Sequence, residues 1–252
     1  MKLRQIFYLS LVRRFTVYFA TLFVELILSI SLFEFLRKNN PATIDLVLGQ
    51  MFKPNVITFF YVPVFLLLVS LQVHMDNCLI ILKYTFVENW WGEKIKILLK
   101  DGLIYLLFVY TIPLIVIIKL SSKYLKTLSY KEFAFTLEFL LIIFLLMVIY
   151  GAIYLIILAI IKKPVAAYII GILVPLIDFI SVYIFKTGKF SGVTLGMLIN
   201  FLMSYNLLFK KHLFLFGIYL SYFLLLFTFL SVVAINILKR IDIYRGDKKS
   251  EN

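Results

Sequence analysis

The chain has 252 residues, of which 63% are hydrophobic, and its mean hydropathy is +1.03. Soluble domains contain about 45–50% apolar residues, so this composition excludes an ordinary soluble domain and favours a protein solvated mainly by lipid. The net charge is +13, but the basic residues lie almost wholly between the apolar runs, which is typical of residues that flank membrane helices and not of nucleic-acid binding.

The first predicted element is a short interfacial helix over residues 1–14, where four basic residues alternate with Leu, Ile and Phe. Further runs are long and apolar enough to cross ~30 Å of hydrocarbon as helices. There are six of these runs, and they cover residues 15–36, 56–73, 102–118, 133–161, 164–185 and 212–238. The sequence therefore predicts an all-α, polytopic membrane protein: a single domain over 1–252, with a six-helix bundle at 15–238 and a tail at 239–252.

The stretch KTGKFSGVTLGMLINFLMSYNLLFKK, residues 186–211, is ambiguous. Its centre is apolar, but three Gly, two Asn and flanking Lys residues make it a poor membrane span. We interpret it as a re-entrant or surface-lying helical segment, and a seventh span is the alternative.

The distribution of basic residues predicts the orientation. With the N-terminus inside, 15 of the 26 Lys and Arg residues fall on the cytoplasmic side, and so do five of the six Arg residues. We therefore expect both termini in the cytoplasm of a bacterial cell, with the chain crossing the cell membrane several times.

A charged and aromatic stretch, KYTFVENWWGEKIKILLKDG, separates the second and third predicted spans. On a helix it places one apolar stripe opposite one polar face. The stripe consists of Tyr84, Val87, Trp91, Ile95 and Leu98, and the polar face of Thr85, Glu88, Asn89, Gly92, Glu93 and Lys96. One interpretation is a helix that rests on the lipid headgroups. The other is a coupling helix that packs on its own bundle and docks into a soluble motor subunit.

The interfacial helix, the six spans and this charged segment together resemble the permease subunit of an ABC-2-type exporter. The string ILKYTFVENWWGEKIKILL is similar to the Trp-Trp-x-x-Lys segment of many Gram-positive permeases. The resemblance implies an extracellular re-entrant segment between spans five and six, a cytoplasmic ATPase partner and a second permease subunit. It also implies that the coupling residues are Glu88, Asn89, Glu93, Lys94 and Lys96.

Three ionisable residues lie inside predicted spans, at Glu25, Glu138 and Asp178. An ionised side chain in lipid costs ~2.5–3.5 kcal/mol on insertion scales, so each should face protein or water. We predict that Glu25, Asp178 and the nearby Pro175 line a translocation path or relay protons; the alternative is a protonated or hydrogen-bonded packing role. Glu138 can also reach the outer interface, and His212, at a span end, is expected to form interfacial hydrogen bonds.

The sequence predicts no enzyme, no catalytic residue and no metal site in this chain. The Gly-x-x-x-x-Gly-Lys-[Ser/Thr] phosphate-binding motif is missing, so ATP and Mg²⁺ would be bound by the partner ATPase subunit. The apolar residues of the spans predict an amphipathic or lipid-like substrate, and the resemblance to small Gram-positive exporters implies an antimicrobial or cytolytic peptide that is moved out of the cell. The alternative function is a non-transporting immunity or scaffold protein that acts by binding.

Overall fold

The structure is a computed structural model and describes residues 3–38, 44–73, 87–121, 130–184, 194–203 and 209–247. The elements in these ranges are helices. In chain order they are α1 (Leu3–Lys38), α2 (Ile44–Met51), α3 (Pro54–Val56), a π-helix (Ile57–Tyr61), α4 (Val62–Val73), α5 (Val87–Ser121), α6 (Tyr130–Ile161), α7 (Pro164–Ile184), α8 (Leu195–Met203) and α9 (Phe209–Asp247). The predicted all-α class is confirmed for this part of the chain.

Five stretches of the described helices are long and apolar enough to cross a membrane. They are Arg14–Glu34, Pro54–Leu71, Tyr130–Ile161, Pro164–Ser181 and Lys211–Arg240. These stretches correspond to the first, second, fourth, fifth and sixth predicted spans. The third predicted span, 102–118, lies within α5, where several side chains fall outside the described set. Its crossing of the membrane therefore stays a prediction.

Three helix boundaries differ from the predicted ones. α1 is one uninterrupted helix of 36 residues, about 54 Å long, so 1–14 and 15–36 are not separate elements. α1 contains no Gly or Pro, and nothing in its sequence ends a helix at residue 14. α5 likewise joins the charged stretch to the third predicted span without a break, and α9 continues past residue 238 to Asp247.

The packing of α1 is the reverse of that of a soluble helix. Its buried face carries Thr21, Glu25 and Ser29, while Phe19 and Phe23 are 69% and 65% exposed. In water this arrangement would expose apolar surface and bury polar groups at a cost on both sides. In lipid the apolar face is solvated and the polar residues are directed into the protein. The side-chain distribution thus supports the membrane assignment independently of helix length.

α6 is the central helix of the bundle and packs against α4, α5, α7 and α9. In the apolar stretch of α6, 67% of the residues are buried, whereas 11% are buried in the apolar stretch of α9. Close packing at its middle depends on Gly151, because a Cβ atom there would collide with the Leu98 side chain of α5 and lie 3.1 Å from Phe65 of α4. A residue with a side chain at this position would require the Leu98 side chain or the helices to shift.

A π-helix interrupts the second span between α3 and α4. The Val62 N–H bonds to the carbonyl oxygen of Ile57, five residues earlier. The Tyr105 hydroxyl of α5 donates a hydrogen bond of 3.0 Å to the Tyr61 carbonyl oxygen at the end of this turn. Such π-turns inside helices occur frequently at functional sites.

Candidate functional site

The first turns of α5 contain the predicted coupling segment. Trp91 and Leu98 are 3% and 2% exposed, and Ile95 is half-buried against the core. Tyr84, Thr85 and the side chain of Val87 lie outside the described residues. The described part of the predicted apolar stripe therefore packs on the chain's own bundle, and it belongs to a helix that continues into that bundle.

Four of the predicted coupling residues are accessible at this end of α5. Glu88, Asn89 and Lys96 are exposed, and Glu93 is partly exposed and accepts a 2.7 Å hydrogen bond from Lys96. Glu88 forms an ion pair of 2.6 Å with Lys239 near the C-terminal end of α9. The hydrogen bond from Lys239 holds the pKa of Glu88 below its usual value. The polar surface thus joins α5 to α9.

Lys94, the fifth predicted coupling residue, does not lie on this surface. It is 7% exposed, and its Nζ lies 5.7 Å from the centre of the Trp90 ring. The reason is helical spacing: residue 94 follows Trp91 by three and precedes Leu98 by four, so it shares their buried face. Burial lowers the pKa of Lys94 to about 8. Its burial does not favour a docking role, which stays a prediction for this side chain.

An ion pair joins α1 to α5 at the same end. Arg14 Nη2 lies 3.1 Å from Asp101 Oδ2, and the Asp101 side chain is 8% exposed. The ring of Tyr18 stacks on that of Phe108 one to two turns farther along, with centroids 4.6 Å apart. These contacts hold α1 along the length of α5.

Asp178, predicted to line a path, is the centre of a hydrogen-bond cluster that holds α8. Its Oδ2 accepts bonds from the Tyr150 hydroxyl at 2.9 Å, from the Leu195 N–H at 2.9 Å and from the Thr194 hydroxyl and N–H. The hydroxyl groups of Tyr150 and Thr194 are 2.7 Å apart. Asp178 thus caps the N-terminus of α8 from a different helix, since a carboxylate there pairs with N–H groups that the helix leaves free. The geometry favours the packing role that the sequence left open.

Pro175, the other predicted path residue in α7, is buried, and the helix continues through it to Ile184. It lies one turn before Asp178. A proline inside a helix removes one backbone hydrogen bond, so this turn of α7 has one bond fewer than a regular turn.

Glu25 is fully buried at the middle of the first membrane stretch, with 0% exposure. Neither carboxyl oxygen has a hydrogen-bond partner. The Tyr61 hydroxyl interacts with this carboxyl group but donates its hydrogen bond to the Met51 carbonyl oxygen, at 3.4 Å. Glu25 and Asp178, predicted to share a path, thus have different sets of neighbours.

A buried pair that the sequence analysis did not predict lies where α6, α8 and α9 meet. His212 Nδ1 is 3.2 Å from Glu138 Oε2, and the two side chains are 4% and 11% exposed. Phe135 and Phe201 pack on the His212 ring, with centroid distances of 5.3 Å and 5.2 Å. His212 is therefore enclosed by protein side chains, and its role in interfacial hydrogen bonds stays a prediction.

The partners of the predicted residues come from distant parts of the chain: Tyr150 and Thr194 for Asp178, Lys239 for Glu88, and Tyr61 with Tyr105 for Glu25. A Thr directly before an apolar helical stretch is an N-terminal helix signal, so Thr194 was recognisable as the start of α8. The carboxylate that caps it was not. Comparison with protein families, with curated proteins and with solved structures found no match for the chain.

Proposed function

We propose that the chain is the membrane-spanning permease subunit of an ATP-driven exporter of the ABC-2 type. The observation that carries this proposal is the construction of α5, whose exposed and charged first turns belong to the same 35-residue helix that enters the bundle. A force applied to the exposed turns of a rigid helix moves the buried part with it. A soluble motor subunit needs this kind of connection.

The proposed topology has six spans, with α5 as the third and both termini in the cytoplasm. α5 is about 52 Å long, enough for a span and about four additional turns outside the hydrocarbon. α8 has nine residues, about 14 Å, which is too short to cross and favours a re-entrant segment over a seventh span.

The proposed assembly contains a second permease subunit, identical or homologous, and a cytoplasmic ATPase that binds ATP and Mg²⁺. The proposed substrate is an amphipathic peptide or lipid-like molecule, because such a ligand suits apolar helices better than a sugar does. The apolar lipid-facing sides of α1 and α9 are also the surfaces available to a second subunit.

The test is reconstitution with a candidate ATPase from the same cell, followed by measurement of copurification and of ATP hydrolysis. Asn89→Lys, which adds a positive charge at an exposed position, should abolish the stimulation of hydrolysis, because charge complementarity determines the register of a docked subunit. Lys211→Glu changes an exposed charge at the start of α9 and should leave stimulation unchanged.

The ion pair between Glu88 and Lys239 requires its own control. Glu88→Lys alone breaks an internal contact and would confuse docking with folding. Glu88→Lys with Lys239→Glu preserves the pair and reverses both charges. Loss of stimulation in this pair of changes supports docking. A chain that never stimulates or retains an ATPase would instead be a binding protein, such as an immunity or scaffold protein.

A further inference from the structure

Several buried polar groups in the described helices lack a hydrogen-bond partner, and the carboxyl group of Glu25 is the one among them that lacks a partner at two atoms. It is 0% exposed, and both of its oxygens are without a hydrogen-bond partner. Thr21 and Ser29, one turn away on either side, satisfy their hydroxyl groups by donating to carbonyl oxygens of α1 itself. The hydroxyl groups of Thr21 and Ser29 therefore do not donate hydrogen bonds to the Glu25 carboxyl group.

The groups that face Glu25 carry no compensating positive charge. They are the hydroxyl groups of Tyr61, from the π-helix, and Tyr105, from α5. α4 contains no titratable residue, and α2 carries Asp45, whose side chain lies outside the described set. The Arg14–Asp101 pair lies 11 residues earlier on α1, a distance of about 16 Å along the helix.

An ionised carboxylate at this position would be very costly. Moving an unpaired charge from water into a protein interior costs several kcal/mol even after relaxation, and a buried group neutralises instead. Protonation removes the charge and supplies an O–H donor, and a proton needs no cavity. A metal ion or an ammonium group would need additional space and ligands.

We propose that Glu25 is a proton-binding site, occupied while α1 is packed on α4 and α5 and emptied when α1 separates from them and water reaches the carboxylate. The partners on both sides are suited to this exchange. Tyr61, whose hydroxyl group faces Glu25, ends the π-turn, and its carbonyl oxygen accepts a hydrogen bond from the Tyr105 hydroxyl. Protonation at Glu25 thus favours the closed arrangement of α1.

The first test is infrared spectroscopy of the purified protein in lipid nanodiscs, with no ATPase present. The wild type should show the C=O stretching band of a protonated carboxylic acid at neutral pH, and Glu25→Gln should lose that component. Glu25→Asp should shift it to a different frequency, which gives an assignment even where the Gln variant is poorly folded. Glu34→Gln alters an exposed carboxyl group on the same helix and should leave the band unchanged.

The second test measures amide hydrogen exchange in α1 as the pH is raised. In the wild type and in Glu34→Gln, the loss of the band should coincide with loss of protection in α1. In Glu25→Gln, which stays neutral, α1 should remain protected. A band that is unchanged in both Glu25 variants would overturn the proposal, and so would a band that disappears with α1 still fully protected. Neither result bears on ATPase coupling, which is absent from this experiment.

Discussion

Replacement of Asp178 by Ala is expected to release α8 from the bundle while the spans stay folded. The change removes the acceptor for four donors: the hydroxyl groups of Tyr150 and Thr194 and the N–H groups of Thr194 and Leu195. The two hydroxyl groups are 2.7 Å apart and can bond to each other afterwards. The two N–H groups are left without that option, because the first N–H groups of a helix have no partner within the helix.

The size of the effect follows from this count. Each buried donor that loses its acceptor costs about 1–3 kcal/mol, so two N–H groups amount to roughly 2–6 kcal/mol in the local stability of α8. Asp178→Asn keeps one acceptor oxygen and should cost less than Asp178→Ala. Ser181→Ala removes a hydroxyl group that bonds to the Asp178 carbonyl oxygen of its own helix, and this change should stay within about 0.5 kcal/mol.

The assay is amide hydrogen exchange followed by mass spectrometry on peptides that cover 195–203. Protection there should fall in the order wild type, Asp178→Asn, Asp178→Ala, while peptides of α6 remain protected. A normal exchange rate for α8 in the Ala variant would refute the capping role. If transport were then lost with α8 still protected, the sequence-based interpretation of Asp178 as a path residue would be favoured instead.

Three further predictions concern the packing of α5 and α6. Gly151→Ala should lower the free energy of unfolding by about 1–3 kcal/mol through overpacking, whereas Gly217→Ala, where an added Cβ meets nothing within 4 Å, should not lower it. Trp91→Ala should lower it by up to ~3–5 kcal/mol and the half-buried Trp90→Ala by less. The lowered pKa of Lys94 means that the folded state binds fewer protons than the unfolded state between about pH 8 and about pH 10.4, so stability should rise with pH across this window. Lys94→Met should be more stable than the wild type at neutral pH and should lack this rise.

Thermal unfolding in detergent, monitored by circular dichroism, measures all three. Equal stabilities of the two Gly variants would contradict the close contact of α5 and α6. Equal losses for the two Trp variants would place both rings in similar surroundings. A free energy of unfolding that falls between about pH 8 and about pH 10.4 would contradict the lowered pKa of Lys94.

The sequence predicts the membrane stretches well because hydropathy acts over a whole helix. Five of the predicted spans coincide with apolar helical stretches of the structure. It predicts their ends less well, since the continuation of a helix beyond the hydrocarbon depends on the absence of stop signals. α1 and α9 both extend past the predicted boundaries in this way.

The roles of single polar residues are harder to predict, because their partners come from elsewhere in the chain. Glu25 and Asp178 are both recognisable as costly carboxyl groups inside apolar spans. Asp178 accepts hydrogen bonds from four donors, whereas the hydroxyl group of Tyr61, which faces Glu25, donates to the Met51 carbonyl oxygen. The difference arises from α8, whose N-terminus happens to meet α7 at Asp178, and no property of either span encodes that contact.

Lys94 shows the same limit at the scale of one helix turn. The resemblance implies a coupling role for its charged side chain, but its helical position relative to Trp91 and Leu98 is that of a core residue. The long aliphatic part of a lysine can be buried while the ammonium group finds an aromatic ring, and Trp90 provides that ring. The face that α5 buries is therefore determined by where the other helices contact it. This makes the exposed residues Asn89 and Lys96, and not the whole charged stretch, the surface on which a docking experiment should concentrate.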